Sequence, residues 1–289
     1  MNRRLRGRVG IFPLSGKVEF DIHAPMRVFV LYLCCMWFMS CCYGQAKGEP
    51  SAPDSCGAAV CVMEWESRQM LVGIREHEER QVASLQQLVA ALCLCDAGEL
   101  DKIVTIEPTD CRVPPFRLQL RRGARYSRRE LMLLMLMRGG NDAAHALARD
   151  SAGNESAFVE RMNAKAREIG MLHTCFVNVS GLPAPQYSTA YDMALAACEA
   201  YGYELIRTMC ATRQHEYDPG TGCVKRVYHS NQLMHTYPWV RGMKYGYCHS
   251  AGHCLIACGE SKGRVVIVVV LGGSRPGIWE ESLRYLNAA

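Results

Sequence analysis

Segments with the pattern of β-strands lie at both ends of this chain, and helical patterns fill the stretch between them. Residues 58–63 and 70–74 form an apolar pair with a polar break, as in a β-hairpin. Three more strand-like segments, 240–247, 253–259 and 265–271, lie near the C-terminus. Because a sheet must bury its faces against other elements, these distant segments are expected to join one antiparallel sheet. The sequence therefore predicts an α/β domain with helices packed on the sheet.

The helices between these strands are predicted from apolar spacing and from capping residues. Ser84 opens a helix whose apolar residues recur at helical spacing up to Cys95, and Gly98 ends it. Ser127 and Glu130 form a capping box ahead of the next helix. Further helices are predicted at 143–149, 158–169, 189–201 and 278–286.

An uncharged apolar run of fifteen residues, 28–42, follows Arg27 near the N-terminus. Gly44 and Ala46 are small residues at the spacing that a signal peptidase reads, so the run predicts a secretory signal. A retained anchor stays open, although the run is shorter than the roughly 20 residues of a membrane span. Met26 is an alternative start, and Cys41 is a loose match to a lipidation site.

These features divide the chain into a signal peptide at 1–46, a linker at 47–57 and one domain at 58–289. The signal predicts export across the inner membrane to the periplasm or cell envelope, with membrane attachment only if the signal is retained or Cys41 is lipidated. The formal charge of +5 is concentrated in the signal, because the first 46 residues carry +4 and the rest about +1. A basic footprint for nucleic acid is therefore absent.

The chain has sixteen cysteines, and twelve of them follow the predicted signal. Disulfides are permitted in an exported protein, but their pairing cannot be deduced from the sequence. The densest group of cysteines and histidines, within 248–258, superficially resembles a metal site. Its spacing differs from the C-x2-C type and it has the pattern of strand, turn and strand, so no metal or cofactor is expected.

Four stretches resemble the serine-type D-Ala-D-Ala carboxypeptidases, the low-molecular-weight penicillin-binding proteins, and they occur in the family's order. The third is the most specific, since it combines a helix with Gly181-Leu182-Pro183 and Tyr187-Ser188-Thr189-Ala190. The resemblance implies the β-lactamase/transpeptidase-like fold, an antiparallel sheet of about five strands flanked by helices, with a helical subdomain. The four stretches are VASLQQLVAAL at 82–92, MRGGNDAAHALA at 137–148, the segment 162–197, and VRGMKYGYCHSAGHCLIA at 240–257.

In this family acyl transfer depends on three motifs, S-x-x-K, S-x-N and K-T-G. The resemblance makes Ser84 the nucleophile, Asn141 the residue that holds the substrate amide, and Lys244 the cation that binds the terminal carboxylate. Gly246 keeps the glycine of the third motif, and the backbone N–H of Tyr247 would complete the oxyanion hole with that of Ser84. The implied partner is a peptidoglycan stem peptide or a β-lactam.

The three motifs depart from the family pattern at one position each. Gln87 stands where the lysine base is expected, and an amide cannot accept a proton near neutral pH. Gly139 replaces the serine that relays protons, and Tyr245 puts a phenol where a small hydroxyl should contact the carboxylate. Another base would have to serve Ser84, and the nearby candidates are His145, His249 and Lys225.

Two functions follow from this mixture of kept and lost residues. The first is a serine-type D-Ala-D-Ala carboxypeptidase, a hydrolase that works through an acyl-Ser84 intermediate with another base. The second is a weakly active or inactive homologue that keeps the cleft and binds stem peptides or a protein partner without turnover. The lost residues favour the second, and Ser84 itself has the alternative role of a helix N-cap.

Overall fold

The computed structural model describes residues 57–113, 118–261, 263–275 and 277–288. The predicted signal peptide and all of the linker except Gly57 lie outside these residues. Within the described part of the chain there are nine strands and eight α-helices. The strands are β1 Ala59–Glu64, β2 Met70–Ile74, β3 Ile103–Thr105, β4 Arg125–Ser127, β5 Gln214–Tyr217, β6 Lys225–Tyr228, β7 Val240–Cys248, β8 Gly252–Ser261 and β9 Arg264–Gly273.

The helices fill the middle of the chain, and one more closes it. None of those in the described ranges is long and apolar enough to cross a membrane. They are α1 Gln87–Ala97, α2 Arg128–Arg138, α3 Asn141–Ala152, α4 Glu155–Glu168, α5 Ala190–Gly202, α6 Glu204–Ala211, α7 Leu233–Thr236 and α8 Gly277–Ala288.

Five strands form the main sheet, in the order β2-β1-β9-β8-β7, and every neighbouring pair is antiparallel. The N-terminal hairpin pairs with the last strand, so that Val60 lies opposite Val270 and Val62 opposite Val268. This confirms the antiparallel sheet that was expected to join the two ends of the chain. Strand β7 is left at one edge, where the predicted third motif lies.

Alternate residues of the sheet enter two separate apolar cores. On β1, Cys61 and Met63 face a large core shared with the helices of the middle segment, while Val60 and Val62 face a smaller core shared with α8. Helices therefore cover both faces of the sheet. This arrangement is expected when strands alternate between two buried sides.

The cap at Ser127 was predicted correctly, and a second helix is capped in the same way. The Ser127 hydroxyl accepts a hydrogen bond from the Glu130 N–H at 3.1 Å, and the Thr189 hydroxyl accepts one from the Asp192 N–H at 3.0 Å. The helix predicted to begin at Ser84 is interrupted at its start, because residues Ala83–Gln86 form a 3-10 turn before α1. Ser84 lies inside that turn, whose N-cap is Val82, so the alternative that Ser84 is the N-cap is wrong.

Candidate active site

Two glycines bring other parts of the chain against the backbone of Ala83 and Ser84. A Cβ on Gly181 would stand 2.1 Å from the Ala83 carbonyl oxygen, and a Cβ on Gly246 would stand 2.7 Å from the Ser84 nitrogen. These distances are far below a van der Waals contact, so only glycine allows the close approach. Ala83 itself has a positive φ of 48°, which is uncommon for a residue with a side chain. Ser84 is thus clamped between β7 and the loop that contains Gly181.

Gly139 stands between the side chains of Ser84 and Lys244. A Cβ at this glycine would lie 3.4 Å from Ser84 Oγ and 3.4 Å from Lys244 Nζ. The two side-chain atoms are therefore separated by no more than twice that distance. The structure thus brings these three positions together.

Lys244 is completely buried on the edge strand β7. Burial lowers the pKa of its ammonium to about 7, with a smaller lowering from Arg138 and an opposing effect of Cys210. Its Nζ donates to the carbonyl oxygen of Tyr245 at 3.4 Å. In the described part of the chain Lys244 forms no ion pair with a carboxylate. A large share of the Lys244 side chains is therefore neutral near pH 7.

Gln87 begins α1 one helical turn after Ser84 and is completely buried. Its side-chain amide donates from Nε2 to the carbonyl oxygen of Ser180 at 3.2 Å. This bond ties α1 to the loop that approaches Ser84. Its Oε1 is also buried and has no hydrogen-bond partner among the described residues.

Ser84 opens into a cleft of about 360 Å³. Asn141, the first residue of α3, lines it and is almost fully buried. The next residue, Asp142, fixes the start of α3 because its carboxylate accepts the N–H groups of Leu118 and Leu120. Burial raises the pKa of this Asp142 carboxyl. The cleft lining consists of Ser84, Asn141, Ser180, Gly181, Leu182, Pro183, Tyr247, Cys248 and His249.

The family is decided by a match over most of the chain. The sequence profile described as D-alanyl-D-alanine carboxypeptidase matches residues 46–275. The chain belongs to this family. Membership agrees with the resemblance seen in the motifs and with the observed five-stranded antiparallel sheet.

Individual relatives and solved structures give the same result. The D-alanyl-D-alanine carboxypeptidase DacF of Bacillus subtilis is 31% identical over 225 residues, which cover 75% of this chain and 58% of the relative. The D-alanyl-D-alanine endopeptidase of Escherichia coli is 27% identical over 227 residues, which cover 76% of this chain and 73% of the relative. This chain thus spans a little over half of the first relative's length and about three quarters of the second's.

Among solved structures, the D-alanyl-D-alanine carboxypeptidase of Mycobacterium tuberculosis superposes with a TM-score of 0.75 at 25% identity, covering 84% of this chain and 95% of that one. Penicillin-binding protein 6B of Escherichia coli superposes with a TM-score of 0.72 at 29% identity, covering 84% of this chain and 80% of that protein. The fold is therefore the penicillin-binding, β-lactamase-like fold that the resemblance implies.

The Tyr245 phenol is not brought to the cleft of this family member. Its hydroxyl is hydrogen-bonded to Nδ1 of His253 at 2.6 Å, and its ring packs on Trp279 of α8 with centroids 5.0 Å apart. The ring is partly buried and packs against the core under α8. The sequence predicts a phenol in contact with the substrate carboxylate, but the cleft is lined by the neighbouring Tyr247 and not by Tyr245.

Two of the three alternative bases are engaged elsewhere in the fold. Nδ1 of His145 is 2.8 Å from the Asp110 carboxylate, and this hydrogen bond raises the pKa of the imidazole. Lys225 is exposed on β6 and donates to Gln119. His249 is the one of the three that lines the cleft with Ser84.

The sequence did not identify the loop that forms one wall of the cleft. Ser180, Gly181, Leu182 and Pro183 all line it, although they were quoted only as part of the family pattern. The signal was the run Gly181-Leu182-Pro183, in which glycine has a positive φ of 84°. A glycine followed by an apolar residue and a proline often marks a tight loop, but nothing in the pattern says which element it faces.

Proposed function

We propose that the cleft at Ser84 binds the D-alanyl-D-alanine end of peptidoglycan stem peptides, and that acyl transfer there is slow. The protein would then act mainly by recognition, with weak or no carboxypeptidase activity. Family membership supports the ligand class, since the relatives are D-alanyl-D-alanine carboxypeptidases and endopeptidases. The kept residues Asn141 and Lys244 support binding, because an amide and the protonated form of a lysine suit a peptide that ends in a carboxylate.

The state of Gln87 is the observation that carries this proposal. The side chain one turn after Ser84 is an amide, it is completely buried, and its nitrogen is bonded to the Ser180 carbonyl. It has no lone pair that can take a proton near neutral pH. Loss of a general base typically slows a reaction by about 10² to 10⁴. Gly139 adds to the loss, since it supplies no hydroxyl for proton relay.

A second function is a fully competent carboxypeptidase that uses another base. The observation in its favour is the short distance between Ser84 and Lys244, together with the lowered pKa of that lysine. The two functions differ in turnover, not in the ligand that they bind. We also propose that the protein works in the cell envelope, because the pattern at 28–42 predicts export.

Binding and turnover can be measured separately on the exported protein. Calorimetry with a stem pentapeptide ending in D-Ala-D-Ala should show binding, and the same peptide ending in L-Ala-L-Ala should not bind. Release of D-alanine should be about 10² to 10⁴ slower than that of the Bacillus subtilis relative measured in parallel. Binding of neither peptide would refute the proposed ligand, and equal release rates would establish the competent enzyme.

A further inference from the structure

Ser84 faces a basic group that does not belong to its own helix. Lys244 reaches from β7 towards the same point as the Ser84 hydroxyl, and both atoms lie 3.4 Å from the Cβ position of Gly139. Groups that exchange a proton must be in hydrogen-bond reach, directly or through one water molecule. The two atoms are at most twice 3.4 Å apart, and two hydrogen bonds through one water molecule span roughly 6 Å, close to that upper limit. The absence of a side chain at Gly139 leaves this path unobstructed.

We propose that Lys244, and not the side chain at position 87, removes the proton from Ser84 in the residual acyl transfer of this protein. The inference rests on the proposed function, because it needs the D-alanyl-D-alanine peptide in the same cleft. It gives the neutral form of the third-motif lysine the role of a base, while only its protonated form can attract the substrate carboxylate.

The proposed steps conserve atoms and protons. Neutral Lys244 takes the hydroxyl proton while Ser84 Oγ bonds to the carbonyl carbon of the penultimate D-alanine and the peptide C–N bond breaks. The lysine ammonium gives that proton to the departing amine of the terminal D-alanine. In the second half, water attacks the ester carbon and gives a proton to Lys244, which returns it to Ser84 Oγ as the ester C–O bond breaks.

The groups around Lys244 favour its neutral form. Arg138 at the end of α2 and His229 before α7 are both coupled to it electrostatically, and the arginine disfavours a second positive charge. Cys210 of α6 has the opposite effect, but burial raises the pKa of this thiol to about 12, so the thiol is neutral at physiological pH. Among the described residues no carboxylate pairs with Lys244 to hold it charged. The amine is therefore available as a base at a pH where an ordinary lysine is not.

Gln87 and His249 are the other side chains that this inference must exclude. Gln87 is an amide whose nitrogen is bonded to Ser180. His249 lines the cleft, so it can reach a bound ligand and is the real rival. The two candidates are separable because arginine keeps the charge of lysine while it cannot deprotonate near neutral pH.

The test is the acylation rate with a fluorescent penicillin between pH 5.5 and 9, at several concentrations so that binding and acylation separate. The wild-type acylation constant should rise about 10-fold from pH 6 to pH 8 and level off above it, following a pKa near 7. The acylation rate of Lys244→Arg should not rise with pH, and it should be about 10²-fold lower than the wild-type plateau rate. Lys225→Arg is the matched control at an exposed lysine, and it should keep the rise.

The outcomes distinguish this inference from the proposed function. A wild-type rate that does not change with pH overturns the role of Lys244 without any variant, and so does a rise that persists in Lys244→Arg. A rise lost in His249→Gln and kept in Lys244→Arg assigns the base to His249. Peptide binding without any acylation up to pH 9 overturns the inference alone, whereas absence of peptide binding overturns the proposed function.

Discussion

The side-chain amide of Gln87 donates to the backbone carbonyl of Ser180 at 3.2 Å. This bond joins the start of α1 to the loop that presses on Ser84, and it occupies the side-chain nitrogen at the position that the motif resemblance assigns to the lysine base. Gln87 therefore helps to hold this loop against the Ser84 turn. The neighbouring Gln86 does the same with the carbonyl of Asn178.

Gln87→Lys should raise the acylation rate with fluorescent penicillin by about 10-fold or more, because it restores a base one turn from Ser84. The matched control is Gln86→Lys, which changes an equally buried glutamine in the same turn that is bonded to the Asn178 carbonyl. This control should not raise the rate. Equal gains in both variants, or no gain in a folded Gln87→Lys protein, would contradict the assignment of position 87.

Gly139→Ser and Gly139→Ala should each lower the free energy of unfolding by about 1–2 kcal/mol, because Gly139 ends α2 with a left-handed φ of 70°. The space itself accepts a Cβ, since the nearest atoms are 3.4 Å away. Gly153→Ala is a matched control at a positive φ of 84°, with open space around its Cβ. Urea unfolding measures the free energy of unfolding of all three variants. A Gly139→Ala protein more stable than the wild type would show that the backbone at Gly139 is not strained.

When both variants are folded to the same extent, a higher acylation rate of Gly139→Ser than of Gly139→Ala is due to the serine hydroxyl alone. The serine variant should be the faster of the two, since only it can relay a proton between Ser84 and Lys244. Equal rates would show that the lost hydroxyl does not limit the reaction.

Tyr245→Thr, which restores the family's small hydroxyl, should destabilise the protein by about 2–3 kcal/mol because it removes ring packing on Trp279. Tyr245→Phe keeps that packing and loses only the hydrogen bond to His253, so it should cost about 1 kcal/mol. Thermal or urea unfolding of both variants measures the difference. A Tyr245→Thr protein as stable as the wild type would mean that the ring does not belong to the α8 core.

Mass spectrometry of the exported protein should find an N-terminus near Lys47, since the apolar run 28–42 and the small residues 44–46 predict cleavage there. A mature chain that keeps residues 28–42 would contradict the predicted signal peptide. A lipid on Cys41 would replace it with an anchored form.

The sheet could be predicted from the sequence because its strands are long, apolar and bounded by turns. The polar segments were missed: β5 and β6 read as Gln-His-Glu-Tyr and Lys-Arg-Val-Tyr, and α6 buries only Ile206, Met209 and Cys210. Such short elements have weak periodicity, and tertiary contacts determine them more than local propensity does. Capping boxes succeeded because they are local in the sequence.

The candidate site residues were predicted from motif order, which carries no information on their conformations. Ala83 takes a positive φ where Gly181 and Gly246 press on the Ser84 turn from two distant segments. The direction of the Tyr245 ring depends on Trp279, which lies 34 positions later in the chain. No local pattern contains this information, because these constraints arise only once the elements have packed.

The most direct test of slow acyl transfer at Ser84 is a time course of fluorescent penicillin labelling at pH 7, with wild type and Ser84→Ala side by side. We expect the wild type to be labelled slowly, at a rate about 10² to 10⁴ below that of the Bacillus subtilis relative, and Ser84→Ala not to be labelled at all. Two results would contradict slow acyl transfer at Ser84. One is rapid and stoichiometric labelling of the wild type that Ser84→Ala abolishes, and the other is labelling that survives the loss of the serine.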